Sequence, residues 1–513
     1  MSAVDWLAKI APGMAARIYK NKLNYELNAR TYNQAQRLYE AAQSNQWRPT
    51  INNNASGDAV MDNANSQLRQ MARHLEENHD IVVSLFDDLL NNVVGAGANI
   101  TPMVRLKNGQ LAEDINKRLY DDFNDWGDNP EVTGEMGFEQ LERQAARHLF
   151  RDGEVFIRPV FSKGFNYKGN LPFALELVEA DYVPFDTNDL TGKVVHGIER
   201  DQWGAPKYYY FHKGHPNDPL NASLSVNVGD LRRVAAAGVY HLKFTRRLRQ
   251  ARGVPVIHAV IDRLRDLKDY EESERIAAKV AADFTWFIKK SGEFGAGPTT
   301  VNDAGNRAFE MSAGAGFELL PGEDVGTIAS DRPNSGLIDF RAAMLRAVAG
   351  GTGTRYSAIA RDYNGTYSSQ RQELVEGAIA YRVHFSYLTR RFYKPIWRDF
   401  MRAELLAGRI NLNDIDQDTL FRCDFRAPAL PWIDPQKEAK AWRELVDAKL
   451  ESRSEIMRQR GRDPQKVTEE MEAEAENGLF ASAIEPVADE VSEPESPEEN
   501  GEDNNENDVA QTG

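Results

Sequence analysis

The residues of this chain able to do chemistry do not assemble into a catalytic set. His74 and His79 stand five apart in HLEENH. A zinc-binding helix needs HExxH to bring both imidazoles to one face, so surface or capping histidines are expected here. His212 and His215, in FHKGHP, have no cysteine pair or carboxylate set nearby, and no metal is expected. Asp152 and Glu154 flank Gly153 in RDGEVFIRP, where acids normally serve the turn itself. LTGKVV lacks the upstream glycine and the Ser or Thr of a phosphate loop. Gly350, Gly351 and Gly353 precede Arg355 and Tyr356 instead of a lysine and hydroxyl, and no apolar strand leads into them. No G-x-S-x-G elbow occurs. The expectation is a protein that is not an enzyme and uses no cofactor. Cys423 is the single cysteine, so no disulfide closes within the chain, and a small buried apolar role is expected. The basic run FTRRLRQARG, with Arg246, Arg247, Arg249 and Arg252, has no interleaved aromatic platform for single-stranded nucleic acid. It reads as an ion-pairing cluster, possible at a subunit interface.

These residues must be positioned by a chain of 513 residues, long enough for about three domains. Its formal charge of -16 is uneven: residues 484–513 hold eleven acids and no Lys or Arg. That tail, with three prolines, is predicted to be disordered. Residues 1–50 carry seven bases against three acids. No apolar run reaches the 18 residues of a membrane span, and the N-terminus lacks a secretory pattern, so a cytoplasmic protein is expected.

The strongest periodic signal is YSSQRQELVEGAIAYRVHFSYLTRRFYKPIWRDFMRAELLAG, from Tyr367 to Gly408. Large apolar residues at Leu374, Tyr381, Phe385, Leu388, Phe392, Ile396 and Phe400 form one stripe of a long helix. Ser369 and Gln372 have capping-box spacing, Gly408 suits the far end, and Pro395 is expected to kink the rod. Upstream, INNNASGDAVMDNANS reads as a linker and helix start, and 66–94 as a helix. Residues 154–242 carry clustered strands. A charged helix over 253–287 has the four-apart pairs Arg265 with Asp269, Lys268 with Glu272 and Glu271 with Arg275. A glycine-rich insertion with the short strand candidates AFEM and GFELL, another helix, the glycine loop and two C-terminal helices complete the order. The fold class is α+β, predominantly helical.

The ordered series NHDIVVSLFDDLLNNVVGAGANITP, RDGEVFIRPV, LELVEADYV, HGIERDQWGAPKYYYF, VYHLKFTRRLRQARGVPVIHAVIDRLRDLKDY, FELLPGEDV with DRPNSG, LRAVAGGTGTRYSAIARDYNGTYSSQR and PWIDPQKEAKAW resembles the portal proteins of lambda-type tailed bacteriophages over about residues 10 to 475. The resemblance implies the portal fold: an N-terminal segment over 1–65, a wing over 66–252 and 368–432, and a stem over 253–287 and 336–349. It further implies a clip over 288–335, a tunnel loop over 350–367, a crown over 433–480 and an acidic tail over 481–513. It implies a ring of twelve copies at one capsid vertex, through which double-stranded DNA is packaged and ejected. Its partners would be the terminase large subunit, major capsid and scaffold proteins, and head-tail connector proteins, without a membrane. The chain would reside in the virion and, during assembly, in the host cytoplasm. The tunnel-loop residues Gly350, Gly351, Gly353, Arg355, Tyr356, Arg361, Asp362, Tyr363 and Asn364 would meet DNA. Arg265, Lys268, Glu272 and Arg275 would line the stem or its interface. A minor capsid or scaffold-binding protein without a channel, and a packaging nuclease or ATPase subunit, are the other readings.

Overall fold

The computed structural model describes residues 12, 13, 17, 20, 21, 23, 24, 55–162, 171–189, 191–218, 231–283, 287–290, 323–326, 336–427, 435–462 and 464–476. The chain divides into two compact units, Met1–Ala64 with Arg246–Gln250, and Asn65–Thr245 with Ala251–Gly513. In the first unit, Arg247 Nη1 donates to the Ala55 carbonyl at 2.6 Å, and Gln250 Oε1 accepts from the Arg246 and Arg247 amides. The predicted acidic tail and the AFEM and GFELL strands lie outside the described residues.

Helix α1, Gly57–Asn78, begins inside the stretch expected to be a linker, and α2, Asp80–Val93, follows after a single residue. The break falls at His79, the N-cap of α2. His79 is buried, with Nδ1 3.1 Å from Asp80 Oδ1 and Nε2 donating to the Leu264 carbonyl at 3.2 Å, so of the two positions expected, surface or cap, it takes the cap. After strand β1, Asn99–Pro102, come α3, Glu113–Gly127, and α4, Phe138–Arg151. Both helices place an apolar stripe inward, and Trp126 of α3 stacks on Phe173 while its indole N–H donates to the Phe173 carbonyl at 2.9 Å. The aromatic body needs that bond, because a buried indole N–H without an acceptor costs stability.

The strands form small antiparallel sheets. β2, Glu154–Phe161, is the centre of a three-stranded sheet between β3, Phe173–Val178, and a later strand, Tyr240–Lys243. Strands β4, Val194–Val195, β5, Ile198–Arg200, β6, Pro206–Phe211, and β7, Arg232–Ala235, form a four-stranded meander, after which Tyr240–Lys243 is β8. Phe156, Tyr209 and Phe211 pack between these sheets.

Asp152 and Glu154 do more than serve a turn. Both are fully buried, and Arg73 grips Asp152 with two bonds of 2.9 Å. Arg69 Nη2 reaches Glu154 at 3.1 Å and Nη1 reaches Asp181 at 3.2 Å. Arg252 is also fully buried: Nε donates to Glu154 at 2.7 Å and the other nitrogens to the Val183, His196 and Ala180 carbonyls. Burial would raise the acid pKa values, but the neighbouring guanidiniums and hydrogen bonds hold both carboxyls well below their usual range. Arg252 is therefore an internal anchor and leaves the expected interface cluster. Gly153 and Gly253 pass so closely that a Cβ on Gly253 would lie 2.0 Å from the Gly153 carbonyl oxygen.

Beyond a 3-10 turn at Val256–Ala259, α5 spans Ile261–Asp283, so the helix starts eight residues after the expected boundary. Strands β9, Phe287–Lys290, and β10, Glu323–Gly326, pair antiparallel within the insertion. Helix α6, Leu337–Thr352, continues through Gly350 and Gly351, three residues past its expected end. The short helix α7, Tyr356–Ala360, leads to α8, Tyr367–Leu388. Thr366 caps α8 by accepting from the Ser369 amide, so Thr366 takes the role expected of Ser369, and Gln372 pairs with Glu376. A π-helical turn over Thr389–Tyr393 joins α8 to α9, Lys394–Leu406, with Pro395 in the first turn of α9. The missing proline N–H is accommodated there by the wider turn. Gly408, at φ 71°, ends α9: its amide bonds the Leu405 carbonyl at 3.0 Å and the Arg409 amide bonds the Glu404 carbonyl at 3.1 Å. Strand β11, Cys423–Arg426, then pairs with β1 across more than 300 residues. Three C-terminal helices follow where two were expected: α10, Pro435–Asp447, α11, Arg453–Gln459, and α12, Pro464–Glu476.

Candidate nucleic-acid interface

The glycine stretch is less free than its composition suggests. Gly350 and Gly351 are helical, and a Cβ on Gly351 would lie 2.6 Å from Val260 Cγ1, so this glycine serves close packing. Gly353, at φ 74°, is the residue that turns the chain. Arg355 then points inward. Its Nη2 donates to Asp88 Oδ1 at 2.8 Å, and Tyr381 donates its hydroxyl to the other carboxylate oxygen. Burial would lower the Arg355 pKa, but Asp88 raises it overall, which keeps the guanidinium charged. Gly377 makes room for this side chain, since a Cβ there would meet Arg355 Cδ at 2.8 Å. Arg355, expected to reach toward DNA, is thus a latch between the loop, α2 and α8.

Tyr356 is also held: Arg346 lies 5.0 Å over its ring, and its hydroxyl donates to Asp362 Oδ2 at 3.0 Å. Asp362 accepts from the Asn364 amide at 3.1 Å, and that bond, followed by the Tyr356 hydroxyl, lowers the Asp362 pKa. Ala358 and Ile359 are buried, and Ser84 donates to the Ala358 carbonyl at 3.1 Å. What remains outward is the tip: Arg361, in a left-handed conformation at φ 53°, with exposed Tyr363 and Asn364. Gln370 donates to the Tyr363 carbonyl, so the tip is tied to the first turn of α8. A cation and an aromatic ring two residues apart, both exposed on a pinned turn, suit contact with phosphate and sugar without base readout.

The family model for phage portal proteins of the lambda family matches residues 41–384. The chain belongs to this family. A probable portal protein of Halomonas phage phiHAP-1 is 26% identical over 437 residues, covering 83% of this chain and 82% of its own. Among solved structures, the neck of an empty gene transfer agent particle is similar at TM-score 0.46 and 13% identity, covering 77% of this chain and 94% of its own. The virion of a native gene transfer agent particle follows at TM-score 0.45 and 14% identity, covering 78% and 94%. The lambda-family portals, to which this chain belongs, are structural proteins. No described helix is long and apolar enough to cross a membrane.

The portal's charged helix α5 spends its charges differently from its spacing. Lys268 donates to the Asn78 carbonyl at 2.8 Å, Glu271 binds Arg341 of α6 at 2.6 Å, and Arg275 lies 3.6 Å from Glu272. The four-apart pairs are replaced by a bridge between helices and a three-apart pair. Arg265, Glu272 and Arg275 remain exposed. Arg246, Arg247 and Arg249 are exposed in the first unit, apart from the buried Arg252. Glu179, Asp181 and His215 are close enough together to hold a metal ion, but Asp181 already accepts from Arg69 and Arg73, which neutralise it. Asp88 was missed in the sequence because its only local partner is the neutral amide of Asn92, four residues on, while Arg355 and Tyr381 stand 267 and 293 residues away.

Proposed function

We propose that copies of this chain close into a ring, twelve in number, whose channel passes double-stranded DNA at one vertex of a capsid. The single observation carrying this reading is the pinned turn between α6 and α8, which presents Arg361 and Tyr363 at its tip while Arg355 locks its base to Asp88. In this reading α5 and α6 are the stem, the β9 and β10 insertion the clip that docks the terminase large subunit and later the head-tail connectors, and α10 to α12 the crown. The sheets with α8 and α9 form the wing, facing major capsid and scaffold proteins. The chain is assembled in the host cytoplasm and kept in the virion.

Size supports the reading. Twelve helices about 10 Å wide, side by side, have a circumference of about 120 Å and leave a bore of roughly 28 Å. A duplex of about 20 Å passes with little clearance. The exposed charges of α5 are of both signs, which favours sliding over holding, because each phosphate paired with a base adds salt-dependent affinity.

Electron microscopy of the purified chain, alone and with the other head components, is expected to show closed rings; monomers under every condition would remove the reading. Arg361→Ala with Tyr363→Ala is expected to leave rings intact and lower DNA packaging or retention. Packaging unchanged in that variant would take the tip out of the channel's working surface.

A further inference from the structure

Among the described residues, one helix face is exposed over most of its length. On α8, Val375, Ile379 and Val383 are 50%, 60% and 65% exposed at four-residue spacing. The same face continues through the π-helical turn into Arg390, Arg391, Lys394, Arg398 and Arg402, all exposed. Arg382, Arg390, Arg391, Lys394 and Arg398 make no hydrogen bond or ion pair with any described residue, and the only acid between 382 and 402 is Asp399. Asp399 is buried and occupied by Tyr240 and Arg402. From Val375 to Arg402 the face is about 40 Å long. It begins apolar and ends cationic.

The chain itself carries the matching polymer. After Lys466 there is no Lys or Arg, and residues 467–513 hold 16 acids, as many as the whole formal charge of -16. Within this segment, Ile484, Val487 and Val491 precede Glu493, Glu495, Glu498 and Glu499. The order of properties is the same as on the helix face: apolar, then charged, with the opposite sign. Sixteen extended residues span about 50 Å, enough to cover it. DNA would pair with the bases but offer nothing to the three aliphatic side chains. A tethered segment also acts at an effective concentration in the millimolar range, which lets weak contacts suffice.

We infer that residues 484–499 dock along the exposed face of α8 and α9, with their aliphatic residues on Val375, Ile379 and Val383 and their acids on the bases from Arg390 to Arg398. The acids of the segment and the phosphates of a DNA duplex would then compete for the same bases, without regard to sequence. The inference does not depend on ring formation, so its failure and that of the portal reading are separable.

The test compares the full chain with a chain ending at Glu476, by hydrogen exchange and by fluorescence anisotropy with a 30-base-pair duplex at 50 mM salt. The shortened chain is expected to exchange faster at least tenfold over 375–402 and to bind the duplex at least tenfold tighter. That gain is expected to vanish when Arg390, Arg391, Lys394 and Arg398 are also changed to Gln. The synthetic peptide 484–499 is expected to restore protection, and its Ile484→Ser, Val487→Ser, Val491→Ser version to do so poorly. Equal exchange over 375–402 with and without the segment overturns the inference, including when a second copy protects the face in both. So does a duplex affinity that truncation leaves unchanged.

Discussion

Two residues that look interchangeable in the sequence, Arg355 and Arg361, have opposite roles in the fold. Arg355 is paired with the buried Asp88, so Arg355→Ala leaves a carboxylate without its counter-charge and is expected to cost about 3 kcal/mol in denaturant unfolding. Arg361 has an exposed side chain, and Arg361→Ala is expected to stay within about 0.5 kcal/mol. Glu142 gives a pH-dependent prediction. Burial first, and Glu139 nearby, push its carboxyl up to about 8, against the hydrogen bond from the Ala98 amide. Its folded form keeps a proton that the unfolded chain gives up from about pH 4.5. Its contribution is therefore complete below pH 4.5 and lost as pH rises toward 8, a change on the order of 5 kcal/mol. Glu142→Gln is expected to flatten that decline, with melting temperatures from pH 5 to pH 8 as the measurement; an unchanged slope would assign the decline elsewhere.

At the scale of elements, the two glycines at the end of α6 separate a hinge from a helix. Gly350 has nothing within 4 Å of an added Cβ, so Gly350→Ala is expected to stabilise by about 0.5–1 kcal/mol, as alanine does in a helix interior. Gly351→Ala meets Val260 and is expected to destabilise by about 1–3 kcal/mol. Destabilisation by both would mean that the helix does not continue to Thr352 in solution. The π-helical turn has a comparable logic. It keeps Phe385 and Leu388 before it and Ile396 and Phe400 after it on one buried side, while Pro395 follows without an amide to donate.

For the whole molecule, the pairing of β1 with β11 joins the N-terminal helices to the end of the long helix. Tyr393 stacks on Phe425 at 5.6 Å beneath that pairing. A chain ending at Gly408 is expected to aggregate on expression, since β1 becomes an open edge and Tyr393 loses its cover; recovery of a soluble, cooperatively unfolding product would show that β11 is dispensable. The same scale governs acid stability. Asp152 and Glu154 have depressed pKa values, so their contribution is present above the ordinary carboxylate range and lost as pH falls below it. With Glu142 acting in the other direction, thermal stability is expected to peak in mildly acidic solution and fall on both sides.

Periodicity alone determined the long apolar stripe from Leu374 to Phe400, the Gly408 stop and the starts at Pro435 and Pro464, because caps and helical spacing are local properties of neighbouring residues. The order of short motifs determined the family. The tertiary structure alone decided which charges are buried. Asp88 with Arg355, and Glu154 with Arg69 and Arg252, meet across 85 to 267 residues, where no spacing rule applies. It also decided that Thr366 caps α8 and that the glycines at 350 and 351 stay helical, since packing against Val260 and the position of the preceding turn select among locally similar options. The glycine stretch that starts at Gly350 is consequently held at its base by an ion pair and open only at its tip.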